Sequence, residues 1–270
     1  MESSKRLAYS EQGRGAPLVL LHAFPLSRAM WQETLERVAP FARAIAPDLP
    51  GFGLSLRQPK PLIRSMAAAV LELLDELGLR EPVILAGLSM GGYVAFEVVR
   101  QAPARVKALG LFSTRAAPDS PEQRAARMAL VERIRREGFP PSMPVLLPRL
   151  LGETTRASRP AAVERVMQLM RMAHPDGVID ALLAMANRAD STMLLASIPC
   201  PTLVVSGAED TVIPLADATA MAQHLPAAEL EIIPEAGHLV NLEQPGLFHA
   251  ALERWLHRVA ESAEKASPAR

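Results

Sequence analysis

Short apolar runs bounded by Pro, Gly, Asp or Ser recur along the chain at residues 18–24, 42–46, 83–88, 108–112, 203–205 and 230–233. Their shortness and their breaker flanks predict buried strands. Between most of them the period lengthens: Met66, Val70, Leu73, Leu74 and Leu77 share one helical face before Gly78 supplies a stop. Near the end, Phe248, Leu252, Trp255 and Val259 form another such stripe, which predicts a helix docked on the sheet. Strand alternating with helix predicts an α/β fold with a mostly parallel central sheet flanked by helices, because parallel neighbours need a crossover between them.

The alternation breaks over residues 115–196, which carry no convincing strand and read as several helices rich in Arg, Ala, Leu and Met. Pro118 and Pro121 punctuate the start, and Ile198-Pro199-Cys200-Pro201 marks the return to the sheet. The expected organisation is a core built from residues 1–114 and 197–260, an inserted helical cap over 115–196, and a small polar tail, 261–270, that frays. Helices inserted beside a sheet edge can cover a pocket and choose its ligand. Met128, Met143, Met167, Met170, Met172, Met185 and Met193 lie in this segment. Flexible thioethers predict a tolerant apolar pocket, with at least half of these methionines filling core instead.

Lys plus Arg and Asp plus Glu are 29 each, so the formal charge is zero, the balance supplies no basic face of the kind a nucleic-acid binder needs, and no nucleic-acid partner is expected. With 49% apolar and 21% charged residues the chain is neither disordered nor a coiled coil. The single cysteine, Cys200, makes no internal disulfide and suits a reducing compartment. The first ten residues, MESSKRLAYS, lack the apolar core of a secretory signal, and no run approaches a membrane span. A cytoplasmic protein without a membrane partner is expected. The six histidines show no metal-type pairing with cysteine and HExxH is absent, so no metal is expected. Two glycine clusters fail as dinucleotide sites, since Leu56 holds the third glycine position of one and Ser89 the second position of the other.

The strongest chemical signal is Gly87-Leu88-Ser89-Met90-Gly91-Gly92, a G-x-S-x-G string directly after a predicted strand and directly before a predicted helix. In that context the serine sits in a sharp, strained turn, and flanking glycines let the backbone crowd so that the hydroxyl projects. A serine hydroxyl is a weak nucleophile at neutral pH and needs a base in hydrogen-bond reach, with an acid to orient that base. Asp210, in SGAED, and His238, in PEAGHLVNLE, each stand just past a predicted strand end. Glu209 is the competing acid. His22, His174, His224, His249 and His257 fall at a strand end, in the cap or in helical patterns, and are expected to be structural or exposed.

These motifs resemble those of α/β-hydrolase-fold serine hydrolases over about residues 18–255. That family's H-G-x-P turn stands here as His22-Ala23-Phe24-Pro25, and its D-x-x-G-x-G-x-S turn as Asp48-Leu49-Pro50-Gly51-Phe52-Gly53-Leu54-Ser55. The resemblance implies Ser89 as nucleophile, His238 as base and Asp210 as orienter, with an oxyanion hole from the backbone N–H groups of Met90 and Phe24. It implies a carboxylic ester hydrolase that needs no cofactor. Ala23 departs from the family's usual glycine, and its methyl restricts the backbone that presents the Phe24 amide. Haloalkane dehalogenases place an aspartate and then a tryptophan at the elbow, which Ser89-Met90 does not match.

LLHAFPLSRAMW and GLSMGG look most like small carboxylesterases and enol-lactone hydrolases of the 3-oxoadipate type. The partner implied is thus a small ester or lactone. A lactone bearing a carboxylate would need a cation, for which Arg124, Arg127, Arg156 and Arg171 are available, although helix-borne arginines are usually solvated. Cofactor-free perhydrolysis, carbon–carbon cleavage and a ligand-binding homologue without turnover use the same fold.

Overall fold

The computed structural model describes residues 7–58 and 61–266. The first half alternates as expected: β1 (Tyr9–Gln12), β2 (Ala16–Leu21), α1 (Gln32–Val38), β3 (Ala42–Pro47), α2 (Ile63–Glu76), β4 (Val83–Leu88), α3 (Met90–Gln101) and β5 (Val106–Phe112). Five helices then follow without a strand: α4 (Pro121–Glu137), α5 (Met143–Leu150), α6 (Glu153–Ser158), α7 (Pro160–Arg171) and α8 (Pro175–Ala186). The chain returns through β6 (Thr202–Gly207), α9 (Leu215–His224), β7 (Ala228–Ile233), α10 (Val240–Glu243) and α11 (Pro245–Ala266).

One seven-stranded sheet has the order β1-β3-β2-β4-β5-β6-β7. Only β1 runs antiparallel, pairing Tyr9 with Pro47 of β3, while the other neighbours are parallel. Strands β4 and β6 are buried at every position, so side chains on both faces are covered and the sequence reads as unbroken apolar runs. From β2 the chain leaves toward β3 on one side, and from β4 it proceeds toward β5 on the other. That reversal opens a crevice at the carboxyl ends of β2 and β4, where ligands of open α/β sheets bind.

Local chemistry sets the boundaries. Gly78, at φ +68°, ends α2 with its amide on the Asp75 carbonyl and the Leu79 amide on that of Leu74 (3.1 and 2.9 Å). Phe248, Leu252 and Trp255 are buried along α11 as the stripe predicts. Phe248 meets Phe112 of β5 edge-on at 5.1 Å and lies 6.1 Å from Trp31, so the last helix is fastened beneath the middle of the sheet. Each aromatic pair of this kind adds about 0.5–1.5 kcal/mol beyond its area.

Three expectations change. Strand β1 is absent from the apolar pattern because it is an edge whose residues alternate between exposed and half-buried. The run at 18–24 is strand only to Leu21; the chain then turns, with the Leu26 amide on the Ala23 carbonyl at 2.9 Å. The tail expected to fray from residue 261 instead continues α11 to Ala266, since Glu, Ala and Lys extend a helix and no breaker precedes Pro268. Residues 267–270 of that tail lie outside the described residues. Among the described residues no helix is long and apolar enough to cross a membrane.

Candidate active site

Ser89 lies between β4 and α3 with φ +55° and ψ −112°, a conformation that costs a non-glycine residue about 1–3 kcal/mol. The surroundings over-determine it. A Cβ on Gly87 would lie 2.2 Å from the Gly91 carbonyl, and one on Gly91 would lie 2.2 Å from the Leu21 carbonyl of β2. The turn therefore closes only with glycine at both places. From the β5 side, the Ser89 amide donates to the Phe112 carbonyl and the Thr114 hydroxyl donates to the Ser89 carbonyl, both at 2.9 Å.

The structure brings His238 and Asp210 to this serine. The His238 Nδ1 lies 2.8 Å from Asp210 Oδ2, and its Nε2 lies 2.8 Å from Ser89 Oγ. A carboxylate only accepts, so Nδ1 carries the proton, Nε2 is the acceptor, and the serine O–H donates to it. The other Asp210 oxygen accepts the amides of Val212 and Ile213 at 2.8 and 3.0 Å, which fixes the carboxylate plane. All three side chains are buried. Glu209 turns away: it accepts the Thr154 amide at 2.9 Å, and bonds from the Thr154 hydroxyl above all hold its carboxyl below the usual range.

Two flanking turns complete the floor. His22 is fully buried; its Nε2 accepts the Leu49 amide at 2.9 Å, so its Nδ1–H donates to the Ala23 carbonyl at 3.0 Å. Burial pushes its pKa down, against smaller upward pulls from that carbonyl and from Asp48, and the neutral ring works as a strut between the turns. Asp48 accepts the amides of Arg28 and Leu54 at 2.8 and 2.9 Å and pairs with the Arg28 guanidinium. Gly53, at φ +52°, is required there because its Cβ would strike the Asp48 carboxylate. Among the described residues only Ser89, Ser113 and Glu235 are non-glycine at positive φ, so Ala23 is not forced into the left-handed region and its methyl is accommodated. The Phe24–Pro25 peptide is cis. The Met90 amide, first in α3, is one of the donors a helix leaves free at its N-terminus.

The remaining histidines stand apart from this group. His174 caps α8, His224 donates to the Ala220 carbonyl at 2.7 Å, His249 is buried 3.0 Å from the Thr34 hydroxyl, and His257 stacks on Phe41.

A cavity of about 270 Å³ opens over Ser89 and His238. Phe24, Tyr93 and Val212 flank its floor, while Leu130, Leu146, Leu150, Leu182 and Met185 from α4, α5 and α8 form its apolar roof. More than half of the methionines of residues 115–196 fill core, as expected, and the cavity roof is mostly leucine rather than thioether. Of the seven methionines in this segment only Met185 lines the cavity; Met128, Met143, Met167 and Met170 pack in or against the core, and Met172 and Met193 are exposed. Of the four arginines singled out, Arg127 reaches the cavity, Arg124 bonds to Asn187 at 2.8 Å, Arg171 pairs with Glu164 at 3.1 Å and Arg156 is exposed. Arg115, in the loop after β5, and Arg149, on α5, also line the cavity, and no periodicity in the sequence marks either as facing it.

Glu243 was likewise missed. It is 2% exposed, and its two oxygens accept the amides of Gly152 (2.7 Å) and Leu239 (3.0 Å), tying the start of α6 to the residue after His238. The contact is tight, since a Cβ on Gly237 would lie 2.2 Å from the Gly152 nitrogen. A carboxylate inside the apolar stretch after His238 was the available signal. Glu243→Ala leaves two buried amides without acceptors, so a loss of about 2–3 kcal/mol is expected. Thermal unfolding checks this: Tm should fall by about 5 °C or more, and an unchanged Tm would show that the clamp contributes nothing.

A family model described as alpha/beta hydrolase fold matches residues 16–245. Among solved structures, a thermophilic esterase from Thermogutta terrifontis with malate bound is 42% identical, with a TM-score of 0.91 and coverage of 94% of this chain and 93% of that one. Among curated relatives, 3-oxoadipate enol-lactonase 2 of Acinetobacter baylyi is 27% identical over 89% of this chain and 88% of its own length. The dihydrolipoyllysine-residue acetyltransferase component of the acetoin cleaving system of Pseudomonas putida is 31% identical over 85% of this chain, which spans 60% of that protein's length.

Proposed function

We propose that this chain, which belongs to the alpha/beta hydrolase fold family, cleaves carboxylic esters, including lactones, by way of an acyl-enzyme on Ser89. The observation that carries the reading is the continuous relay from Asp210 through His238 to Ser89, with both bonds at 2.8 Å. In it His238 Nε2 takes the serine proton as Oγ attacks the ester carbonyl, then returns it to the leaving alcohol. Water enters by the same base and releases the acid. Asp210 orients the ring and stabilises the imidazolium that forms.

Negative charge developing on the carbonyl oxygen is received by the amides of Met90 and Phe24, each worth about 2.7–4 kcal/mol in related sites. Residues 115–196 act as the cap that roofs the cavity and selects the acyl and alcohol groups. The esterase and enol-lactonase relatives support the ester and lactone classes. The half-buried single thiol of Cys200 fits a cytoplasmic enzyme.

Labelling with a fluorophosphonate, followed by peptide mapping, tests this reading together with hydrolysis of p-nitrophenyl esters of graded chain length. One adduct on Ser89 and turnover of the shorter esters are expected, with rates falling once the acyl chain outgrows the cavity. Absence of both labelling and turnover would overturn the assignment.

A further inference from the structure

The turn that carries the Phe24 amide is held on both sides of the Ala23 Cα. His22 Nδ1 and the Leu26 amide both donate to the Ala23 carbonyl, at 3.0 and 2.9 Å. The Ala23–Phe24 peptide is trans, and in a trans peptide the N–H points opposite the C=O, so these donors also set the direction of the Phe24 N–H. Among the described residues the Phe24 amide has no acceptor of its own. Phe24 lines the cavity together with Ser89.

The peptide before Ala23 is held by sulfur. The Ala23 amide donates to Met30 Sδ at 3.2 Å. Met30 stands in a 3₁₀ turn, Arg28–Trp31, is 2% exposed, and has its own amide on the Ser27 carbonyl at 3.1 Å. The Met30 carbonyl accepts Nδ2 of Asn241 at 3.0 Å, and Asn241 is a buried residue of α10, the helix that starts at Val240 just past His238. One thioether thus connects the segment after the base with the turn before Phe24. With the planes on either side of the Ala23 Cα both held, neither φ nor ψ of Ala23 drifts freely. A buried N–H needs an acceptor, and leucine in the same slot would fill the space without supplying one.

We propose that Met30 is a positioning residue for the oxyanion hole: its sulfur fixes the peptide before Ala23, and so holds the aim of the Phe24 amide at the oxygen of the tetrahedral intermediate. This role rests on the ester-cleavage reading, and it adds a residue that touches neither the substrate nor the relay. Because the negative oxygen exists only after attack, lost aim falls on kcat and spares KM.

Met30→Leu keeps the volume and apolarity of the site and removes the acceptor. On p-nitrophenyl butyrate kcat should fall by about ten- to hundredfold, the range that a misplacement of up to about 1 Å produces, with KM within about twofold of wild type. Two ketones separate aim from packing. On hexyl trifluoromethyl ketone, Ser89 Oγ bonds to the carbonyl carbon, His238 Nε2 takes the serine proton and the carbonyl pair settles on oxygen, so its affinity reads the oxyanion. Hexyl methyl ketone binds without that charge. The first should weaken by the same factor as kcat, and the second should bind as it does to wild type. The Ala23 amide proton, deshielded by its bond to sulfur, should move upfield in Met30→Leu, a signal independent of turnover. Met66→Leu, at a buried methionine of α2, is the packing control and should leave every one of these readings unchanged.

Asn241→Ala frees the Met30 carbonyl, so it should lower kcat in the same direction and add little to Met30→Leu in the double variant. If Met30→Leu fails to fold, Asn241→Ala decides, and a wild-type kcat in it overturns the role. An unchanged kcat in folded Met30→Leu, or equal weakening of both ketones, overturns the role of Met30 and leaves the ester-cleavage reading standing. Wild type that neither turns over esters nor labels with fluorophosphonate overturns that reading, and the role of Met30 with it.

Discussion

Ser89→Ala is expected to lower kcat on the best ester by on the order of 10⁶-fold, the loss seen when the nucleophile of a serine hydrolase relay is removed. The size follows from the geometry. Among the described residues Ser89 Oγ is the one hydroxyl bonded to His238 Nε2, at 2.8 Å, so alanine leaves the base with no protein hydroxyl to deprotonate. The oxyanion amides and the cavity remain, which sets a floor of about 10³–10⁴ over the uncatalysed reaction rather than zero. Folding should be spared. Alanine tolerates the φ of +55° no worse than serine, and the bonds that hold the turn use the residue-89 backbone: its amide on Phe112 and its carbonyl under Thr114. Initial rates and thermal melts on one preparation separate the two effects. Turnover within a hundredfold of wild type at unchanged Tm would place the nucleophile elsewhere.

How far this site could be read from the sequence depends on what kind of information each residue carries. The elbow was legible because its strain demands glycine at 87 and 91, and such a demand leaves a local string. Asp210 and His238 were legible only as residues past strand ends. Their meeting with a serine 149 positions before the histidine depends on β5, β6 and β7 lying in chain order beside β4. Periodicity names strands and is silent on their order.

The central strands declared themselves because burial on both faces makes them continuously apolar. The edge strand β1 did not, because half of it faces outward. The cavity wall was least legible. Arg115, Arg127 and Arg149 sit among many other arginines; Arg115 stands in the loop after β5, and whether Arg127 and Arg149 turn inward is decided by how α4 and α5 pack over the sheet. Charge balance over the whole chain is zero and conceals this local excess of cations.

Asp210→Asn is expected to cost about 10⁴-fold in kcat, with little change in KM, as in other relays where the orienting acid becomes an amide. The replacement is nearly isosteric, and the bonds from Val212 and Ile213 dictate its placement. Those two amides donate to Oδ1 at 2.8 and 3.0 Å, so the asparagine must keep its oxygen there and present its NH₂ group to His238. A donor now faces Nδ1. The ring answers by carrying its proton on Nε2, which turns the nitrogen beside Ser89 from an acceptor into a donor. The serine proton then has no receiver, although every atom keeps its position.

Glu209→Gln provides the contrast, since that side chain is spent on Thr154 and should leave kcat within a few-fold of wild type. Stopped-flow acylation and steady-state rates on the same ester distinguish the outcomes. A large loss in Glu209→Gln with Asp210→Asn nearly intact would move the acid to the neighbouring residue. The reverse pattern follows if Asp210 selects the tautomer of His238, because orientation by packing alone would survive the change from carboxylate to amide.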